Sequence, residues 1–342
     1  MSLASTVIDT AERVPLPDVV IRAAIQLFCS RTATRLASRD RESDAALAHQ
    51  MAARPIAEHA GAANVQHYEV PAAFFAHVLG PNRKYSSCFY KEEASTLQEA
   101  EEEALRQTVE HADLAEGQQV LELGCSWGSL SLWMARQFPA SRITAISNSQ
   151  SQRRYIEAEA ARRGLANLSV MTADMNVFSP AARFDRIVSV EMFERMMNWR
   201  ALLTRARSWL EPDGRLFMHI FTHRTGTYLF DRTDREDWIA QHFFAGGGVM
   251  PSYHLIRQYA DLFEVEKEWR WSGVHYQRTA REWLANFDRR REAVEAVLRS
   301  VYGDDLHLWL RRWRWSFLAT AGLFGHAGGS EWGISHYRMK AA

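Results

Sequence analysis

VLELGCSWGSL, residues 120–130, runs from a β-forming segment through two glycines into a helix-forming segment. A strand that ends in a glycine-rich turn and continues as a helix is the place where open α/β sheets bind ligands, beyond the C-terminal ends of their strands. Gly124 and Gly128 would let the backbone approach a ligand with no Cβ in the way. Their spacing, GxxxG, differs from the GxGxxG of dinucleotide sites, and no lysine follows as it does in a phosphate-cradling loop. The turn therefore points to a small ligand other than a bare polyphosphate.

Working outward, β-like and helical segments alternate. RITAISN (142–148), LSVMTAD (168–174), FDRIVSVE (184–191) and GRLFMHIFT (214–222) are short runs rich in β-formers, separated by helical stretches such as SQRRYIEAEAARRG (151–164) and NWRALLTRARSWL (198–210). That order builds a parallel sheet covered on both faces. Upstream, Thr96-x-x-Glu99 is a capping box that opens a helix over STLQEAEEEALRQTVEHADL. Residues 17–37 space Val20, Ala24, Leu27 and Phe28 along one face of an amphipathic helix, expected to pack on its own domain. DRTDREDWIAQHFFAGGGVMP (231–251) breaks the alternation, and two long Trp- and Arg-rich helical stretches precede ISHYRMK (334–340). These parts are expected to cap the sheet. The organisation is a helical segment at 1–63, a helical cover at 64–116, and a core at 117–342 with insertions at 223–260 and 279–324.

With 342 residues, 47% of them apolar, the chain can bury a sizeable core. Lys plus Arg equals Asp plus Glu at 41 each, so no global field draws nucleic acid or an anionic membrane. Cys29, Cys88 and Cys125 have no CxxC spacing and form neither a disulfide framework nor a zinc set, and no metal is expected. The N-terminus lacks a signal-peptide pattern, no run is long and apolar enough to span a bilayer, and a cytoplasmic location is expected. Membrane contact, if made, would run through 17–37, and a homodimer is open.

SVEMFERMM (189–197) sets two carboxylates, Glu191 and Glu194, three residues apart where FDRIVSV ends. Acids near a helix start are ordinary, and Glu194 could simply pair with Arg195 or Arg200. Two acids at a strand end in an α/β sheet could equally hold a cation or move a proton.

HYEVPAAFF (67–75), KYSSCFY (84–90), LELGCSWGSLSL (121–132), SVEMFERM (189–196), EDWIAQHFFAGGGVMPS (236–252) and GVHYQRTAREWL (273–284) together resemble the cyclopropane-fatty-acid synthase superfamily, and within it the coclaurine-type N-methyltransferases. The resemblance covers roughly 64–340. It implies a class I methyltransferase fold: an α/β, Rossmann-like doubly wound sheet of seven strands with N-terminal helices and a helical cap. It also implies S-adenosyl-L-methionine as cofactor, S-adenosyl-L-homocysteine as product and a small-molecule acceptor. By the same resemblance Tyr85, Ser86, Glu122, Gly124, Trp127, Gly128, Asn148, Gln152 and Asp174 would hold the cofactor, and Glu191, Glu194 and His219 would be catalytic. His67, Tyr68, Trp238, Phe244 and Trp332 would face the acceptor, with Phe243, His336 and Tyr337 as further aromatic lining.

The branches of the family differ in chemistry. Cyclopropane synthases hold a bicarbonate base with a Cys, a Glu, a His and a C-terminal Tyr; here the Cys position is Ser87, beside Cys88, and the Tyr region reads Trp315-Ser316. N-methyltransferases of the family carry EMFEH, whereas this chain has Arg195 in place of the histidine. An arginine cannot accept a proton at physiological pH. Glu194 would then act alone, His219 or His223 would substitute, or the acceptor would not be an ordinary alkylamine. Methyl transfer to a lipid alkene, and cofactor binding without catalysis, are the alternatives to N-methylation of an aromatic or alkaloid-like amine.

Overall fold

Val120, Leu121 and Leu123 are all buried although successive strand residues point to opposite faces, so the first strand, β1 (Gln119–Leu123), is covered on both sides. The computed structural model describes residues 11–37, 41–58, 70–234, 237–244 and 247–342. Around β1 run β2 (Arg142–Ser147), β3 (Leu168–Thr172), β4 (Phe184–Val190) and β5 (Leu210–His223), all parallel. A short ribbon follows, β6 (Tyr228–Leu229) with β7 (Val249–Met250), and then β8 (Phe263–Ser272) and β9 (Trp332–Ala341). The main sheet has 7 strands in the order β3-β2-β1-β4-β5-β9-β8, with β9 antiparallel to both its neighbours. The strand alternation read from the sequence is thus realised, and the sheet is the expected doubly wound one.

The helices are α1 (Asp18–Ala37), α2 (Arg41–Ala52), α3 (Ala72–Val78), α4 (Leu97–His111), α5 (Ser129–Gln137), α6 (Gln150–Arg163), α7 (Trp199–Trp209), α8 (Trp238–His242), α9 (Gly273–Arg289), α10 (Arg291–Tyr302) and α11 (Leu306–Gly325). α4 starts at the capping box, where the Thr96 hydroxyl accepts from the Glu99 N–H and the Glu99 carboxylate accepts from the Thr96 N–H. α9, α10 and α11 hang between the antiparallel strands β8 and β9, so the last strand returns the chain to the middle of the sheet after a helical cap has been built over one edge.

The cap is tied to α1. Arg314 bonds both Asp18 and Asp288, at 3.0 and 2.9 Å, and Gln26 donates to the Gly322 carbonyl at 3.3 Å. The face of α1 that packs differs from the expected one. Ile21, Cys29 and Leu36 are buried, while Val20, Leu27 and Phe28 are 49%, 51% and 41% exposed. The hydrophobic stripe is broad: Ile21, Cys29 and Leu36 pack, while Val20, Ala24 and Phe28 of the expected face turn to a cavity inside the fold.

Strand order reverses between β1 and β4, and the pairing of Leu123 with Ser189 brings the glycine turn beside the acid turn. Gly124 has φ +80°, and a Cβ there would sit 2.6 Å from Cγ of Met192, so the two turns fit only because this residue lacks a side chain.

At the junction of β8 and α9 a Cβ on Gly273 would fall 2.2 Å from the carbonyl oxygens of both Phe324 and Trp332. Backbone atoms cannot swing aside as a side chain can. Gly273→Ala is expected to cost about 3 kcal/mol in urea unfolding, whereas Val274→Ala next door, at a position 40% exposed, should stay within about 0.5 kcal/mol.

Candidate active site

The C-terminal ends of β1 to β4 open into a cavity of about 1220 Å³. Three sources line it: the strand ends, through Gly124, Asn148 and Asp174; the acid turn, through Glu191 and Arg195; and the cap, through Trp238, Phe244, Tyr276 and Phe324. A volume of this size suits two small molecules side by side better than one.

Most of the residues expected at the cofactor do reach the cavity. Tyr85, Gly124, Asn148, Gln152 and Asp174 line it. Asp174 accepts from the backbone and side-chain amides of Asn176 at 2.9 and 3.0 Å, which fixes its carboxylate at the end of β3. Ser149 caps α6 by accepting from the Gln152 N–H at 3.3 Å, and Ser147 donates to Oε1 of Gln152 at 2.7 Å, so the Ser/Asn/Gln cluster both starts a helix and presents polar atoms. Ser86, Glu122, Trp127 and Gly128 do not line the cavity. Ser86 accepts from Nζ of Lys84 at 2.5 Å, and Trp127 packs on Phe75 and Tyr155 with centroids at 4.9 and 5.6 Å. Glu122 accepts from the Ser131 hydroxyl inside the fold, and burial pushes its carboxyl up to about 7, against the pull of that bond. Gly128, at φ +76°, starts α5 and leaves room for Ile156. A glycine floor, polar strand ends and a buried anion fit a long nucleoside that ends in a cationic sulfonium.

Glu191 is the most elaborately held side chain of the site. Its backbone has φ +48°, a left-handed conformation uncommon outside glycine, fixed by an N–H donated to the His219 carbonyl at 2.8 Å. Oε1 accepts from the Ser87 N–H at 2.9 Å and faces Nε2 of His219 at 3.3 Å, while Oε2 accepts from the Tyr276 hydroxyl at 2.8 Å. Burial raises its carboxyl above the ordinary range; the nearby Lys84 charge, the Ser87 amide and the Tyr276 hydroxyl pull the other way. Lys84 itself is buried, bonded to Ser86 and to the Ser87 carbonyl at 2.6 Å, and held below its usual value by burial.

Glu194 is placed differently from the expectation. It is fully buried, outside the cavity lining, and its Oε1 accepts from the Phe221 N–H at 2.7 Å on β5. Burial first, and then the charge of Glu191, push its carboxyl well above the ordinary range, further than burial moves Glu191, so of the two Glu194 holds its proton more firmly. Arg195 acts on both acids through its charge, which opposes the effect of burial on each. It donates to the Phe243 carbonyl at 3.0 Å and lies over the Phe244 ring at 4.3 Å, pinning the 231–251 insertion to the acid turn. Arg200 is engaged by Asp261 at 2.6 Å.

His219 is fully buried behind Glu191, and burial holds it neutral, well below its ordinary value. His223 points elsewhere: its Nδ1 accepts from the Gly226 N–H at 3.0 Å, so it cannot serve as the base. Of the acceptor-facing residues, Trp238, Phe243 and Phe244 line the cavity. Trp332 does not; at the start of β9 its ring packs against His223 and His326, with centroids at 5.1 and 5.6 Å. His336 and Tyr337 are likewise fully buried away from the cavity, and Tyr337 donates to the Tyr253 carbonyl at 2.7 Å. His67 and Tyr68 lie outside the described residues. Tyr276, the Ser87 amide and Lys84 were not anticipated. The residues GVHYQRTAREWL contained the first of these, but a tyrosine in a helix carries no sign of its partner across 85 residues.

The neutral state of Glu194 has a thermodynamic signature. Its folded value lies above the unfolded one, so its contribution is complete below about pH 4.5 and is lost as pH rises toward the folded value. Between pH 5 and 6 the parent should therefore lose stability relative to Glu194→Gln, by up to about 1.4 kcal/mol per pH unit, since the variant keeps the acceptor for Phe221 and cannot ionise. Paired urea titrations at the two pH values measure the difference, and parallel curves would place Glu194 among the ionised acids.

Comparison with known proteins agrees with this geometry. Residues 57–321 match the family described as mycolic acid cyclopropane synthetase. The chain is 35% identical to (S)-coclaurine N-methyltransferase of Thalictrum flavum subsp. glaucum over 298 residues, 86% of this chain and 82% of that one. The solved coclaurine N-methyltransferase bound to N-methylheliamine and SAH superposes with TM-score 0.91 at 32% identity, covering 95% of this chain and 96% of that one. A cyclopropane synthase from Mycobacterium tuberculosis shares the fold, at TM-score 0.68 and 21% identity over 84% of this chain and 99% of that one. With the family match spanning the glycine turn, the acid turn and most of the cap, the chain belongs to the mycolic acid cyclopropane synthetase family of methyltransferases.

Proposed function

We propose that this protein is an S-adenosylmethionine-dependent N-methyltransferase acting on a small aromatic amine of alkaloid type. The observation that carries the proposal is the buried carboxylate of Glu191, set on the cavity wall between the polar strand ends and the aromatic cap. The likeness to coclaurine N-methyltransferases supports the same acceptor class.

S-adenosylmethionine, when bound, supplies an electrophilic methyl group on a positively charged sulfur. Asn148, Gln152 and Asp174 would hold its nucleoside end, and Gly124 and Tyr85 its amino-acid end. Glu191 attracts the ammonium form of the acceptor and takes its N–H proton, so that the nitrogen lone pair becomes available. Tyr276 and the Ser87 amide keep that carboxylate fixed and ionised until the proton arrives. Glu194, neutral and bonded to β5, braces the turn that carries Glu191. Phe244, Trp238 and Phe324 offer ring faces to the cationic amine and exclude water, and confinement of both reactants supplies a large part of the rate. Helices α1, α8, α9 and α11, together with Tyr85 from the segment before α4, each contribute to the cavity wall, which supports 1–63, 64–116 and the insertions at 223–260 and 279–324 as the parts that close over the acceptor.

Methyl transfer to a lipid alkene is disfavoured. Ser87 donates its hydroxyl to the Cys88 carbonyl, and Cys88 is a buried thiol pushed up by burial, so neither offers the bicarbonate ligand of the cyclopropane branch. A reducing, cytoplasmic setting is supported by Cys29, Cys88 and Cys125 being unpaired and buried. Among the described residues no helix is long and apolar enough to cross a membrane. Val20 and Phe28, although exposed, line the cavity, which leaves Val19 and Leu27 as the exposed apolar residues of α1 on which self-association or membrane contact would have to be built.

S-adenosylhomocysteine release, measured with secondary and tertiary aromatic amines beside unsaturated phospholipid vesicles, with and without bicarbonate, tests the proposal. Turnover is expected on amines, independent of bicarbonate, and reduced by at least about a hundredfold in Glu191→Gln. Turnover on vesicles alone would overturn it. Tyr276→Phe removes a bond that favours the carboxylate, so the acidic limb of the rate profile should move to higher pH, with a loss of about tenfold at neutral pH. An unmoved limb would remove Tyr276 from the machinery.

A further inference from the structure

Behind Glu191 lies a row of histidines that the methyl-transfer chemistry itself does not use. Nδ1 of His219 is 2.8 Å from Nε2 of His336, and Nδ1 of His336 is 2.7 Å from Nδ1 of His111. With the Glu191 to His219 contact of 3.3 Å, four titratable groups stand in one unbroken hydrogen-bonded line. His219 and His336 are fully buried, whereas His111, the last residue of α4, is 9% exposed and stacks on Trp269 with centroids 3.9 Å apart.

The sheet builds this line through its register. His219 on β5 pairs directly with His336 on β9, and His336 pairs with Trp269 on β8, so the three side chains share one face across adjacent strands. A slip of one residue in β9 would send His336 to the opposite face and open the line. Apolar residues would fill this layer without the desolvation cost of buried imidazoles, so packing alone does not account for three linked histidines.

We propose that His219, His336 and His111 form a proton exit that carries the proton taken by Glu191 across the sheet to solvent. The inference rests on the N-methylation reading. That reaction releases one net proton per methyl group transferred to an ammonium acceptor, and the cavity that receives it is filled by two reactants. Neutral Glu191 passes its proton to Nε2 of His219; the Nδ1 proton of His219 passes to Nε2 of His336; the Nδ1 proton of His336 passes to Nδ1 of His111; and the Nε2 proton of His111 leaves. One proton enters and one departs, each ring ends neutral in its other tautomer, and reorientation of the rings resets the line.

Its surroundings favour neutral rings, the state such a relay requires. Burial holds His219 and His336 well below their ordinary values, and Lys84 and His111 act in the same direction on both. His111 is held at about 4 by burial, with Glu110 opposing and Arg106 and Arg338 reinforcing. Around Glu191 stand Lys84, Glu194, Arg195 and Tyr276, and the indole of Trp271 walls the line, 5.3 Å from His219 and 4.3 Å from His336.

His111→Phe keeps the stack on Trp269 and removes both outer nitrogens. With an amine that the wild type turns over, kcat should fall about tenfold with KM for S-adenosylmethionine unchanged, the loss should deepen in D2O, and added imidazole should restore it. His336→Gln should lose kcat in the same way without rescue. Normal kcat in both variants, or a loss in His111→Phe that neither imidazole nor D2O alters, overturns the exit while leaving N-methylation standing. A wild type silent on every amine overturns N-methylation and the exit together. Nitrogen-15 shifts of the full chain at neutral pH should report three neutral imidazoles in head-to-tail tautomers; a charged ring among them overturns the exit independently of turnover.

Discussion

A carboxylate taken out of water must be compensated by donors held in place, and much of this fold can be understood as the means of compensating Glu191. Its partners come from distant parts of the chain: the Ser87 amide from the segment before α4, the Tyr276 hydroxyl from α9, the His219 ring from β5. Lys84 adds a buried positive charge nearby. None of these donors could be in position unless the parallel half of the sheet, its antiparallel extension and the helical cap had all assembled. The left-handed backbone of Glu191 belongs to the same arrangement, since it aims the carboxylate out of the sheet and into the cavity.

Pairing this anion with a second acid separates their duties. Two adjacent carboxylates in a dry site do not both ionise, and here the surroundings decide which does. Glu191 has donors on both oxygens, whereas Glu194 is served by backbone amides alone and its Oε2 has no hydrogen-bond partner. Arg195, standing where relatives of the N-methyltransferase branch carry a histidine, is drawn off by the Phe243 carbonyl and the Phe244 ring. It anchors a loop of the cap, and the ring nitrogen that faces Glu191 comes from His219 on β5.

The sequence made the sheet legible because its signals are local. Alternating apolar runs, the Gly124 turn, and the Thr96 to Glu99 box each lie within a dozen residues and were realised where expected. The strand-end residues Asn148 and Asp174 were named through the family resemblance, and both line the cavity. What stayed hidden depends on separation. Trp332 and His336 were expected to face the acceptor, but which face each occupies follows from the pairing of β9 with β5, a choice that the ten residues of β9 do not contain. Tyr276 and Lys84 were invisible because their partner, Glu191, lies far along the chain. On α1 the apolar stripe is wide enough to serve twice, with Ile21, Cys29 and Leu36 buried and Val20, Ala24 and Phe28 lining the cavity, a division that no local pattern announces.

The placement of β9 between β5 and β8 also shapes how the molecule comes into being. Strands added at a sheet's rim complete an object that is already closed; a strand added in the middle completes one that has been standing open. Until 332–341 pair, β5 and β8 each present an unsatisfied row of amides and carbonyls, and both rows must find the same short segment. A nascent chain on the ribosome therefore carries one adhesive edge once β5 is made and a second once β8 follows, and its protection from self-association depends on how quickly β9 arrives to close both.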